Sequence, residues 1–368
     1  MTTTHSVELG NRSYKIFFTQ NDWSELKANL EQNFSADLRY AIVTDQVIEE
    51  TLEQNFSGFD FLPHPPAVRI TLKAGEQSKS ISGIEDIYSD LTNSQIDRSG
   101  AIIAIGGGVI GDLAGYAAAS YMRGITLYQI PTTLLAMVDS SIGGKTGINL
   151  AAGKNLVGAF YQPKAVFIHN AFLQTLPQNE FSAGMAEVIK YGLLSDAYLF
   201  SQLQESGKLS PDHKNLPNII QDCCMIKASI VGKDEKETDA SGGRALLNLG
   251  HTFAHAIEAA TGYNQYLHGE AVAVGLVLAG KLSHRLGHLP QNDLDAIINL
   301  IKTYDLPISL RNPLPIATLT DAMKSDKKRL HGKLNFIALE RIGKAIIVDN
   351  IKEDWIDDLW LDAGATKK

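Results

Sequence analysis

The chain has 368 residues, 44% of them apolar and 20% charged, which is enough for about two domains with a substantial core. Its net charge of −8 argues against nonspecific binding to nucleic acid or an anionic membrane, yet leaves room for a local cationic cluster that holds an anionic small molecule. Cys223 and Cys224 are adjacent and imply no disulfide framework, the N-terminus carries no secretory signal pattern, and no run of about 20 apolar residues suggests a membrane span, so a cytoplasmic setting is expected.

In chain order, residues 13–19 (SYKIFFT) read as a strand and 23–33 as a helix. Apolar, β-branched runs at 40–44, 68–72 and 101–105 read as buried parallel strands, with a helix at 81–92 before the last of them. Strands alternating with helices predict an open parallel α/β sheet. Directly after the run at 101–105, Gly106, Gly108 and Gly111 match G-x-G-x-x-G and open a helix. Glycines there let a pyrophosphate approach the backbone amides of the helix start, so dinucleotide binding is expected; a structural tight turn is the competing reading. The acidic residue usual about 20 positions on is missing. Asp45, ending an earlier strand, is the substitute for contacting a ribose.

A strand at 126–130 leads to Pro131-Thr132-Thr133, and then to a stretch rich in glycine and hydroxyl groups at 139–147, followed by Gly153-Lys154-Asn155. Mobile backbone with Lys145 and Lys154 nearby predicts a cradle for phosphate or carboxylate, against the alternative of a solvated glycine loop. It is not a P-loop, because Asp139 stands where G-x-x-x-x-G-K-[ST] needs its first glycine. After a strand at 166–169, Pro177 marks the expected domain break: an α/β domain over 1–177 and a mainly α-helical domain over 178–368.

Helical periodicity then covers about 181–194, 198–208, 215–234, 248–261, 269–287 and 291–304. Glu187 and Lys190 share one face of a mostly apolar helix, where a buried acid needs a partner or a metal; a surface ion pair is the alternative. The charge run at 234–238 is expected to be a solvated turn. His251 and His255 stand at i, i+4, and His268 follows a Gly-Tyr-Asn loop. Three imidazoles so close suggest a zinc-like site, with incidental helix histidines as the alternative. The basic cluster at 325–329 is too short, and too poor in aromatics, for a nucleic-acid patch, and 333–340 with 345–351 reads as a β-hairpin.

Six motifs occur in order: GGGVIGD, PTTLLAMVDSSIGGKT, GKN, AEVIK, LNLGHTFAHAIE and LHGE. Together, over about residues 40–345, they resemble the 3-dehydroquinate synthases among the sugar-phosphate cyclases. The resemblance implies a Rossmann-like N-terminal domain that binds NAD+, a helical C-terminal domain, an active site in the interdomain cleft, a divalent Zn2+ or Co2+ ion, and a homodimer. The implied substrate is 3-deoxy-D-arabino-heptulosonate 7-phosphate, converted to 3-dehydroquinate and phosphate. By motif, Glu187, His251 and His268 resemble the metal ligands, which leaves His255 toward the substrate as a proton acceptor. Asp139, Lys145, Lys154, Asn155, Lys190, Lys227, Arg244 and Asn248 resemble substrate-site groups; Arg123 resembles an arginine that reaches the phosphate; Lys328, with Lys327 as the alternative, resembles a late lysine of the site. Asp45, Glu76, Lys79, Gly107, Gly108, Val109, Asp112, Thr132, Thr133 and Thr175, with Lys145 and Lys154, resemble the NAD+ contacts. One departure is the segment between Glu237 and Arg244, longer than the family pattern, which is expected to bulge as a loop.

The implied chemistry is a transient alcohol oxidation by NAD+, loss of phosphate from the carbon beside the new ketone, return of the hydride, and aldol closure, with the metal as Lewis acid. Rival readings are a polyol dehydrogenase, another sugar-phosphate cyclase, and a noncatalytic sensor. Against the first stands the lysine set at 145, 154, 190 and 227, which a phosphate-free polyol does not require.

Overall fold

In the computed structural model, which describes residues 2–239, 242–329 and 335–367 (without the side chains of 325–329), the chain divides into two compact units. The first comprises Met1–Pro177 and Lys214–Glu235; the second comprises Gln178–His213 and Lys236–Lys368.

The first unit opens with strands β1 (Thr3–Val7) and β2 (Tyr14–Thr19) and helix α1 (Trp23–Asn33). It continues through β3 (Tyr40–Asp45), α2 (Gln46–Asn55), β4 (Val68–Leu72), α3 (Ile81–Asn93), β5 (Ala101–Gly106), α4 (Gly108–Ser120), β6 (Thr126–Pro131), β7 (Lys145–Leu150), β8 (Gly153–Phe160) and β9 (Ala165–His169). Seven strands form one sheet of order β1-β2-β9-β6-β5-β3-β4; only β1 and β2 pair antiparallel. Residues 40–43 of β3 and 101–103 of β5 are fully buried, as parallel strands covered on both faces must be. The helices start on side-chain caps: Asp22 accepts from Ser24 N (2.8 Å), Asp45 from Ile48 N (3.0 Å) and Ser80 from Gly83 N (3.2 Å). After β3 the chain adds β4 on one side and then β5 on the other, so the strand order reverses there. In open α/β sheets the crevice at the carboxyl ends of such strands is where ligands bind, and those ends carry Asp45 and Gly106.

Two expectations change here. The stretch at 139–155 is not a loop: Ala136–Ser140 winds as a π-helical turn, and β7 pairs antiparallel with β8 as a hairpin. Gly115 makes room for it, since a Cβ there would lie 2.4 Å from Thr146 Cγ2. Helix α7 (Leu216–Lys233), on the far side of Pro177 in sequence, belongs to the first unit, where it packs on β1 and the π turn. The charge run after it is a turn, as expected, and solvated at Lys236 and Thr238, but Asp234 is buried as the cap residue of α7, and Glu235 accepts from Arg12 Nη2 at 2.5 Å.

His169, fully buried against Trp23 and Phe172, has its Nδ1 2.7 Å from Thr19 Oγ1. Burial pushes this imidazole down to about 4, against a weak opposing pull from Asp22. Below the ordinary imidazole range the unfolded chain takes up a proton that the folded one refuses. The first unit is therefore expected to lose about 3 kcal/mol between pH 6.5 and 4. Urea unfolding across that range, wild type against His169→Gln, measures it; identical pH slopes would place the charging elsewhere.

The second unit holds α5 (Gln178–Leu194), α6 (Ala197–Ser206), α8 (His251–Ala260), α9 (His268–Arg285), α10 (Gln291–Thr303), α11 (Ile316–Arg329), the hairpin of β10 (Phe336–Arg341) and β11 (Lys344–Val348), and α12 (Glu353–Asp362). Every residue of α5 from Phe181 to Leu194 is buried, which makes it the unit's central helix, with α9 and α6 against it. Ser283 Oγ of α9 accepts from Leu339 N at 2.8 Å, and Gly343 N donates to Leu193 O at 2.9 Å, which fixes the hairpin to both helices. Helices α2, α11 and α12 have no counterpart in the sequence reading.

Candidate active site

The residues marked by sequence fall into two sets, one in each unit. In the first unit, Gly107 caps α4 with extended backbone, and Gly108 and Val109 begin the helix, where backbone amides lack an intrahelical acceptor. A Cβ on Gly107 would sit 3.2 Å from Thr133 Cγ2, and one on Gly108 would sit 3.1 Å from Ser140 Oγ, so side chains there would crowd this edge. Thr132 is buried, and its hydroxyl has no hydrogen-bond partner among the described residues. A buried hydroxyl without a partner beside a glycine-capped helix start fits a bound polar ligand such as a dinucleotide. Thr133 Oγ1 accepts from Ala136 N at 3.1 Å and thereby starts the turn that carries Asp139.

Lys79 is the centre of this set. Its ammonium donates to Asp112 Oδ2 and to Asn155 Oδ1, both at 2.5 Å, with the lysine itself 4% exposed. Asn149 completes the cluster, donating to Glu76 Oε1 at 2.7 Å and accepting from Asn155 N at 2.9 Å. Burial raises Asp112, with Lys79 opposing it, and burial also raises Asp45. Asn155 holds a left-handed backbone at φ 54°, which its short amide tolerates. Lys79→Met should strand Asp112 and cost the first unit about 2 kcal/mol, less than a fully buried pair because Asp112 keeps some solvent. Dinucleotide affinity should fall with it. Urea unfolding and an NAD+ titration check both, and an unchanged midpoint would remove Lys79 from this role.

Lys227, buried on α7, donates to the Asp139 carbonyl (2.7 Å) and to Asp139 Oδ1 (2.8 Å). Lys145 begins β7 and Lys154 lies on β8, so the hairpin, rather than a loose loop, carries both. Arg123 is exposed at a tight corner where Met122 and Arg123 have φ of 48° and 70°. Thr175 donates back to Phe172 O at 3.2 Å, a local turn bond.

In the second unit three helices converge. α5 brings Glu187, α8 brings His251 as its first residue and α9 brings His268 as its first. One ligand atom from each lies within 4.8 Å of the others, and Glu187 Oε1 is 3.5 Å from both His251 Nε2 and His268 Nε2. Ligand atoms about 2.0–2.1 Å from a tetrahedral ion lie roughly 3.4 Å apart, so this donor set fits zinc or cobalt. His251 Nδ1 faces the Leu249 carbonyl at 3.1 Å; a carbonyl only accepts, so Nδ1 carries the hydrogen and Nε2 keeps its lone pair. Burial, and then the Lys190 charge, push His251 down to about 3, a neutral imidazole. At His268 burial opposes charge, but the bonds to Glu187 and Glu258 outweigh it and push this group up to about 10. The two carboxylates therefore favour positive charge at this point.

Lys190 forms an ion pair with Glu187 one turn away, and both are buried, so the surface-pair alternative falls. His255 stacks edge-on to His251, centroids 5.5 Å apart, but is itself exposed and outside the triad, so the i, i+4 pair is not the ligand pair. Arg244 is buried, and Asn248 donates to Glu237 Oε1 at 3.1 Å. Lys327 and Lys328 lie on α11 outside the side chains that the structure describes. Two polar groups to which the sequence analysis gave no role, Asn149 and Glu258, join these sets. Asn149 gave no signal, whereas Glu258 stood at i+7 from His251 and was readable as the same helix face.

Profiles described as the N-terminal and C-terminal parts of 3-dehydroquinate synthase match residues 69–183 and 184–329. A 3-dehydroquinate synthase of Opitutus terrae is 46% identical over 370 aligned residues, covering all of both chains. One of Acidithiobacillus ferrooxidans is 47% identical, with 94% of each chain covered. Among solved structures, a 2-deoxy-scyllo-inosose synthase complexed with carbaglucose-6-phosphate, NAD+ and Co2+ aligns with TM-score 0.85 at 27% identity, covering 98% of this chain and 100% of the other. A 2-epi-5-epi-valiolone synthase from Streptomyces hygroscopicus with NAD+ and Zn2+ bound gives 0.84 at 25%, with 97% of each covered. A probable glycerol dehydrogenase from Sinorhizobium meliloti, 15% identical with TM-score 0.60, shares the fold.

Proposed function

The chain belongs to the 3-dehydroquinate synthase family, and from that membership we propose how its residues divide the work of converting 3-deoxy-D-arabino-heptulosonate 7-phosphate to 3-dehydroquinate and phosphate, a carbon–oxygen lyase reaction. The observation that carries the assignment is the convergence of buried Glu187 and His251 with half-buried His268, and Lys190 paired to the glutamate. These three hold the divalent ion, and the α4 start with Thr132 and the Lys79–Asp112 cluster holds NAD+. When bound, the ion supplies Lewis acidity toward the substrate's adjacent hydroxyls, and NAD+ accepts and returns a hydride.

The chain's own groups do the rest. Lys145, Lys154 and Arg123 supply fixed cations for the phosphate and carboxylate, and Lys227 is aimed by its two bonds to Asp139. Arg244 and Asn248 extend the polar surface that orients the sugar. His255, exposed one turn from His251, is the proton acceptor for the alcohol that is oxidised. The enzyme works in the cytoplasm, a reading supported by Cys223 and Cys224, buried thiols that form no disulfide, and it works as a homodimer, as the family resemblance implies; among the described residues no helix is long and apolar enough to cross a membrane. The test is incubation with the heptulosonate phosphate, NAD+ and zinc: phosphate and dehydroquinate should appear in equal amounts with no net NADH. Absence of phosphate would sink the assignment, and NADH accumulating on simple polyols would favour a dehydrogenase.

A further inference from the structure

On α8, His251, His255 and Glu258 stand at i, i+4 and i+7, one polar stripe on a helix that otherwise buries Phe253, Ala254, Ala256 and Ile257. Glu258 is 4% exposed, and a carboxylate held that far from water is costly unless something charged or hydrogen-bonding meets it. Its Oε1 lies 3.4 Å from His268 Nδ1, while the other nitrogen of the same ring, Nε2, lies 3.5 Å from Glu187 Oε1. The two imidazoles of the triad are thus backed differently. His251 rests its Nδ1–H on a neutral carbonyl, that of Leu249, whereas His268 faces a full carboxylate.

His268 also needs such a hold more. It is the first residue of α9, it follows a loop, and its side chain is 36% exposed, against 11% for His251. Packing therefore restrains its ring least. We propose that Glu258 is the positioning residue of the metal centre: it fixes His268 with Nδ1–H toward its own carboxylate and the Nε2 lone pair toward the ion, and its charge strengthens that imidazole as a donor. One helix then supplies both a ligand, His251, and the group that aims the other histidine, so the two are set by a single rigid spacing.

This rests on the triad being the metal site, and the experiment separates the two. Zn2+ is titrated into chelator-treated wild type, Glu258→Gln and Glu258→Ala in competition with a chromophoric chelator, and the visible spectrum of each Co2+ form is recorded. Wild type should bind one ion per chain. Glu258→Gln, nearly isosteric but uncharged, should raise the Kd about tenfold or more and shift the Co2+ bands, with the melting temperature in excess chelator close to wild type. Glu258→Ala should bind more weakly still; if it does not fold, the glutamine variant decides. A glutamine variant with the wild-type Kd and spectrum, or one altered only in melting temperature, overturns the positioning role. A wild type that binds no ion would instead sink the triad itself.

Discussion

His268→Ala is expected to lose the metal and the activity together, while His255→Ala keeps the metal and loses only rate. The two residues look alike in sequence, each a histidine within seventeen positions of His251. Geometry separates them. His268 Nε2 is 3.5 Å from Glu187 Oε1 and belongs to the three-atom cluster, whereas His255 lies outside it and is exposed. Three protein ligands are about the minimum for a catalytic ion, so removing one leaves Glu187 and His251 with too few donors. The Lewis-acid contribution is several kcal/mol, and its loss should lower kcat on the order of 10³-fold or more. Removing a general base costs roughly 10²- to 10⁴-fold and leaves metal content at one per chain. Metal analysis of the two purified variants beside steady-state kinetics settles the matter. One ion per chain in His268→Ala would show the ligand set to be wrong; metal lost from His255→Ala would restore the i, i+4 pair.

That contrast also marks what sequence spacing conveys and what it omits. Spacing i, i+4 puts His251 and His255 on one helix face, which is true and yet does not make them a ligand pair. The missing ligand comes from α5, some sixty positions earlier; an acid in an apolar helix marked Glu187 as needing a partner or a metal, and the ordered motifs joined it to the histidines. The strands were legible for a simple reason: buried parallel strands are continuous apolar runs, and β3, β4 and β5 begin where their runs begin. The β7–β8 hairpin was not legible, because its glycines read as loop residues. Gly147 and Gly158 are in fact needed for close strand approach: a Cβ on either would meet a facing backbone oxygen at 2.6 or 2.1 Å. The affiliation of α7 was hidden because chain order says nothing of which core a helix covers. Lys79 and Asp112 sit thirty-three positions apart, and no local pattern joins them.

The most damaging small change is expected at Gly269, where local preference and tertiary packing disagree. Gly269 lies in the first turn of α9, and by helix propensity alanine there should stabilise by about 1 kcal/mol. Packing forbids it. A Cβ at Gly269 would lie 1.9 Å from Ala183 O, 2.5 Å from Ala183 C and 2.7 Å from its Cα, all rigid backbone of α5. Ordinary contact begins at 3.4 Å, so the start of α9 must retreat by about 1.5 Å. Ala183 is one turn before Glu187, and Gly269 follows His268 directly, so the retreat opens the metal centre along the line between two ligands. Displacements near 1 Å cost catalysis about 10²-fold, and metal sites tolerate only a few tenths of an ångström. Gly269→Ala should therefore bind zinc at least tenfold more weakly, lose kcat by 10²-fold or more, and melt lower than wild type. Gly280→Ala, three turns along the same helix, is the control: its Cβ would meet only the mobile ends of Leu294 (3.2 Å) and Ile297 (3.7 Å), and it should keep metal and rate. If Gly269→Ala matched that control in zinc affinity and kcat, the closeness of α9 to α5 would not be what sets the ligand spacing.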